Sequence, residues 1–92
     1  QAQKAEVARL AAAMQAKSGD IAAIARDQER VRENMKSLKG SAEEKQLLQR
    51  YVKQLQDEED RLEVMRKELQ TLTDDRAKAQ AELARMIEGL AG

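Results

Sequence analysis

The chain has 92 residues and contains no cysteine, histidine, proline, phenylalanine or tryptophan. Its one aromatic residue is Tyr51. Without cysteine no disulfide can staple the fold, although that absence fits a reducing or an oxidising compartment equally well. Without aromatic bulk and frequent turns, a compact globular core is hard to assemble. Charge of one sign is missing too, because 17 Lys and Arg balance 17 Asp and Glu. A nucleic-acid arm needs a basic stripe that displaces counterions, and zero net charge argues against it. No apolar run approaches the ~20 residues of a membrane span, so no membrane insertion is expected. With no His or Cys, no Gly-rich phosphate loop and no base beside a nucleophile, no catalytic, cofactor or metal constellation can be assembled.

What the chain does have is spacing. Apolar residues recur at alternating intervals of three and four through Val7, Leu10, Met14, Lys17, Ile21, Ile24, Gln28, Val31, Met35 and Leu38. A second such series runs through Leu48, Tyr51, Leu55, Glu58, Leu62, Met65, Leu69, Leu72, Arg76, Ala79, Leu83, Met86 and Leu90. Each is the heptad seam of a helix. Carrying the first frame forward misses Leu48 by one residue, so the seam breaks between residues 39 and 47. Gly40 suits the left-handed position just past a helix end. Ser41 followed by Glu44 is a capping-box pattern, in which each side chain satisfies a free N–H at the other. Glu43 and Glu44 at one helix start, and Lys36 and Lys39 at the other's end, complement the helix dipoles. One continuous helix with Gly40 inside it would cost ~1 kcal/mol and leave the phase break unexplained.

The expected fold is therefore all-α: a single antiparallel coiled-coil hairpin over residues 1–92. Helix 1 is expected over about 2–39, a turn at 40–41 and helix 2 over about 42–90. At 1.5 Å per residue the helices span ~55 and ~70 Å. The chain begins without Met and already in helical pattern, so it is expected to be a fragment of a larger protein. In an antiparallel pair the numbers of facing residues add to a constant. A constant of 86 pairs Val31 with Leu55, Gln28 with Glu58 and Ile24 with Leu62, and leaves Asp27 near Arg61. A constant of 79 suits a tight turn better but sets Gln28 against Tyr51 and Ile21 against Glu58. Matching polar with polar favours the first. A two-helix hairpin buries one face only, and Leu47, Val52, Val64 and Ile87 lie off the seam. A second copy, giving a four-helix dimer, or the absent body of the parent protein would cover them.

Lys17, Gln28, Glu58 and Arg76 interrupt the seams. A polar layer can be a binding or switching site, but it more commonly fixes register at some cost in stability. Lys17 and Arg76 can also lay their aliphatic stems over the seam. Asp57-Glu58-Glu59-Asp60 cannot converge on one cation from a straight helix, and it reads as a salt-bridged face, with Asp57 reaching Arg61 and Glu63 reaching Lys67. Gly19, mid-helix between Ser18 and Asp20, falls on an outer position of the frame, although a hinge or a close helix contact is the alternative.

The stretch Asp27-Gln28-Glu29-Arg30-Val31-Arg32-Glu33-Asn34, then Arg50-Tyr51, then Glu59-Asp60 resembles the C-terminal helical segment of a bacterial mucoidy-inhibitor-A-like family of unknown function. The resemblance covers about two-thirds of the chain, and Arg50-Tyr51 is the part that composition does not explain. It implies an exported envelope or periplasmic protein with a separate β-rich body, and it supplies no mechanism. Arg30, Arg32, Asn34, Arg50 and Tyr51 would gather near the hairpin tip. The Tyr51 hydroxyl would then reach Gln28, Arg32 or Asn34 as a polar clamp, and a partner-docking surface is the other reading. The function expected is that of a non-catalytic structural or protein-interaction module. A tRNA-contacting helical arm and a periplasmic adaptor hairpin are the competing readings; the first would need a basic side and the second a lipoyl-like flanking domain.

Overall fold

The computed structural model describes residues 2–91, with no account of the Ala91 side chain. Two helices make up the fold, α1 (Ala2–Lys36) and α2 (Ala42–Ala91). They lie antiparallel, since Gln3 bonds to Ala79, Lys17 to Glu68 and Gln28 to Glu59. The rod measures 75 × 15 × 15 Å, and its length is that of α2 itself at 1.5 Å per residue. The cross-helix hydrogen bonds join residues whose numbers add to between 81 and 90. That range straddles the register of 86 and lies wholly above 79.

The heptad pattern explains which faces meet. Every seam position from Val7 to Leu38 and from Tyr51 to Leu83 is buried or half-buried. Leu10, Ile24, Val31, Leu62 and Ala79 form the innermost line, with Val31 and Leu62 sealed off almost completely. Three seam residues stay exposed, namely Leu48, Met86 and Leu90. The reason is length. α2 has 50 residues against 35 in α1, so Met86 and Leu90 lie on an overhang with no described α1 residue opposite. At the other end, Leu48 faces Leu38, which already lies beyond α1.

The turn begins earlier than periodicity suggests. α1 ends at Lys36 rather than near residue 39, so Lys39 lies outside its last turn. The Ser37 hydroxyl donates to the Asn34 carbonyl at 2.8 Å, and the Ser37 and Leu38 N–H groups tighten onto residues three back. Such local bonds compete with the α-helical ladder. The Lys39 N–H is taken by Glu44 Oε2 at 2.7 Å, which draws the chain away from the helix axis. Gly40 follows with φ of +89°, a left-handed backbone that a Cβ would strain. Ser41 N–H then donates to Glu44 Oε1, and Glu44 N–H donates to Ser41 Oγ, both at 3.1 Å. Glu44 thus receives the Lys39 and Ser41 amides and the Ser41 hydroxyl, which together hold its carboxyl below the usual carboxylate range.

Gly19 sits inside an unbroken α1, exposed, with nothing within 4 Å of where a Cβ would stand. It is neither a hinge nor a close helix contact. The two glycines therefore predict opposite outcomes in urea unfolding. Gly19→Ala should stabilise the hairpin by up to about 1 kcal/mol through helix propensity. Gly40→Ala should destabilise it by about 1 kcal/mol, because alanine must enter the left-handed region.

Candidate functional site

Two places carry polar side chains that the fold positions: a layer inside the seam and the surface near the tip. The layer forms because the register sets Gln28 opposite Glu58. Each is only 6% exposed. Gln28 Nε2 does not bond to Glu58, however, but reaches past it to Glu59 Oε2 at 3.2 Å. Glu58 Oε1 is buried with no hydrogen-bond partner. Burial pushes the Glu58 carboxyl up from its ordinary value, and the neighbouring Asp27 carboxylate pushes it further. The Arg30 guanidinium holds Asp27 below the carboxylate range, with help from Glu58 and Gln54. Arg30 donates to Asp27 Oδ1 at 3.0 and 2.6 Å, and Gln54 Nε2 donates to Oδ2 at 3.0 Å from the other helix.

Asp27 is thus the side chain of this layer that the seam pattern does not single out. Its flank position placed it near Arg61, and both residues do line one groove of about 370 Å³, together with Arg50, Lys53, Gln54, Asp57 and Glu58. The available signal was adjacency: a register that sets residue 28 against 58 also brings residue 27 to the same layer.

The other seam interruptions behave as long amphipathic side chains do. Lys17 spans to Glu68 at 3.2 Å, with its own side chain only 23% exposed. Arg76 is half-buried and sets its guanidinium 3.9 Å from Met14 Sδ. Both stems cover the seam while the charged ends reach its rim.

At the tip the predicted clamp does not form. Tyr51 is half-buried on the seam, but its hydroxyl makes no hydrogen bond to Gln28, Arg32 or Asn34 among the described residues. Gln28 and Arg32 are engaged with glutamates instead. Arg30 pairs with Asp27 and Arg32 with Glu29 at 3.7 Å. The Asn34 carbonyl serves Ser37, and Arg50 is exposed on the rim of the groove.

The carboxylate run 57–60 diverges around α2. Asp57 pairs back to Lys53 at 3.5 Å rather than forward to Arg61, Glu58 enters the seam, and Glu59 faces Gln28 and Arg66. The expected Glu63–Lys67 pair is present at 3.4 Å. Among the described residues no group of three or more His, Cys, Asp or Glu is arranged to hold a metal ion. No described helix is long and apolar enough to cross a membrane.

No protein-family model, curated protein or solved structure matches this chain.

A buried polar layer restricts alignment at the expense of stability, which makes a double substitution informative. Replacing Gln28 and Glu58 together by leucine should raise stability against urea by about 1–4 kcal/mol. Glu58→Ala alone should not, since it strips the layer of one side and leaves a cavity. An increase in urea midpoint for the double variant is the expected reading, and a decrease would make the layer a net stabiliser.

Proposed function

We propose that this hairpin is a non-catalytic association module of a larger bacterial protein, working through self-association into a four-helix dimer. The observation that carries the reading is the apolar surface left over once α1 and α2 have closed. Leu47, Leu48 and Val52 are exposed near the tip, Val64 is 58% exposed midway, and Met86, Ile87 and Leu90 are exposed on the overhang. Side chains of this size scattered singly need no explanation. Here they flank or continue the seam of a rod that has only one buried stripe. A rod 15 Å across offers no second interior, so covering them requires another chain. The resemblance to an envelope family would set such an assembly in the periplasm, with the body of the parent protein as the other candidate partner.

Nothing in the geometry favours a nucleic-acid arm. Most of the ion pairs among the described residues are local ones within a helix, such as Glu6–Arg9, Glu33–Lys36 and Glu82–Arg85, and the chain has no net basic charge.

Sedimentation equilibrium over a wide concentration range, with circular dichroism on the same samples, tests the proposal. A species at twice the 10.3 kDa chain mass that loses helicity on dissociation is the expected result. Val52→Glu should weaken that association by roughly tenfold or more, since a charge would enter an apolar interface. A chain that stays monomeric and fully helical at every concentration would overturn self-association and assign the leftover surface to another protein.

A further inference from the structure

Glu58 is largely buried at the wall of the groove, and its Oε1 has no hydrogen-bond partner. When ionised, a carboxylate only accepts hydrogen bonds; when protonated, it also donates one. An acceptor stands beside it: the Asp27 carboxyl lines the same groove from α1 and acts on the Glu58 carboxyl. Two carboxyl groups so placed, one of them out of water, do not both ionise readily.

We propose that Asp27 and Glu58 share one proton across the α1–α2 seam, with Glu58 as carrier and Asp27 as acceptor, so that hairpin closure responds to pH.

The surroundings decide which group holds the proton. Asp27 is partly exposed and takes three donated N–H bonds, two from Arg30 and one from Gln54, all of which favour its charge. Glu58 has burial against its charge and only weaker support for it, from Gln54 and from Arg61. On α2, Asp57 turns to Lys53 and Glu59 turns to Gln28, while Arg50 stands at the rim of the groove. On α1, Arg30 is committed to Asp27. Arg61 lines the same groove and is the cation that acts on Glu58, but its effect is smaller than those of burial and of Asp27, so the net direction favours the protonated carboxyl. In that state the layer has a complete donor and acceptor arrangement: Gln54 and Arg30 to Asp27, and Glu58 to Asp27.

The sign of the pH effect follows from the two opposite shifts. Glu58 is raised, so its contribution is fully present below the ordinary glutamate value and is lost as pH rises through its folded value. Asp27 is lowered, so its contribution is present above the ordinary aspartate value and is lost as pH falls through its folded value. Stability is then greatest in the acidic window between the two and declines toward neutrality. The composition makes this readable. The chain has no histidine, so no ordinary side chain titrates between about pH 5 and pH 8. Among the other carboxyls with a resolved shift, Glu6 and Glu44 are lowered.

Thermal unfolding followed by circular dichroism, from about pH 4 to pH 8 at one protein concentration, tests the idea on the chain and on Glu58→Gln. The unaltered chain should melt a few degrees lower at about pH 8 than at about pH 5. Glu58→Gln should lose that slope, because its amide donates to Asp27 without titrating. A flat profile for the unaltered chain, or the same slope in both proteins, would overturn the proposal. Should Glu58→Gln fail to fold, carboxyl-carbon NMR titration of the unaltered chain decides instead. Glu58 titrating above the other glutamates supports the shared proton, and Glu58 titrating among or below them refutes it.

Discussion

One-sided burial is the constraint on which the rest of this structure depends. Two helices packed side by side share a single seam, and the cross-section of 15 Å leaves no room for a second. Leu10, Ile24, Val31, Leu62 and Ala79 are the apolar residues that reach full burial along a rod of 75 Å. Burying a large apolar side chain contributes about 1.5–3 kcal/mol. Ordering each residue costs a comparable amount. A hairpin of this composition must therefore draw stability from its local elements as well. The i,i+3 and i,i+4 ion pairs along both helices, the capping box and the left-handed Gly40 are such elements. Each adds a small increment, reduced by solvent screening at these exposed positions.

The same constraint gives the polar layer its importance. In a globular core one misplaced polar pair is diluted among many apolar contacts, whereas here Gln28 and Glu58 are two of the seven most buried residues. A shift of one heptad would set each against an apolar partner and strand both. The layer thus resists sliding, which the repetitive alanine, leucine and methionine pattern on either side does not. Lys17 and Arg76 impose less discrimination, because their charged ends escape to the rim.

How much of this could be read from the residues follows from the range of each interaction. The turn was legible because Gly40, Ser41 and Glu44 act within five residues of one another, and the seams were legible because burial follows period. The end of α1 was misplaced because Ser37 and Glu44 remove its last hydrogen bonds, and neither effect has a periodic signature. The Tyr51 clamp was misjudged for a related reason. Arg30 and Arg32 each had a carboxylate three residues earlier on their own helix, and a local ion pair needs less ordering than a bond across the seam. Asp57 likewise chose Lys53 over Arg61. The cross-helix role of Asp27 is not periodic: Arg30 pairs with it locally on α1, whereas Gln54 and Glu58 meet it only through the three-dimensional register.

Register and charge state are in consequence one problem rather than two. Burial on the seam disfavours the charged form of a glutamate, and a carboxylate acceptor beside it favours the neutral form further. Asp27 is that acceptor, and Arg30 and Gln54 keep it charged. In the alternative alignment Glu58 would meet Ile21 and lose access to Asp27, so its proton would have no acceptor and burial would oppose either form. The alignment that buries Glu58 is thereby the same one that raises its carboxyl beside Asp27, which ties the register of a rod with so little apolar core to the charge state of one layer.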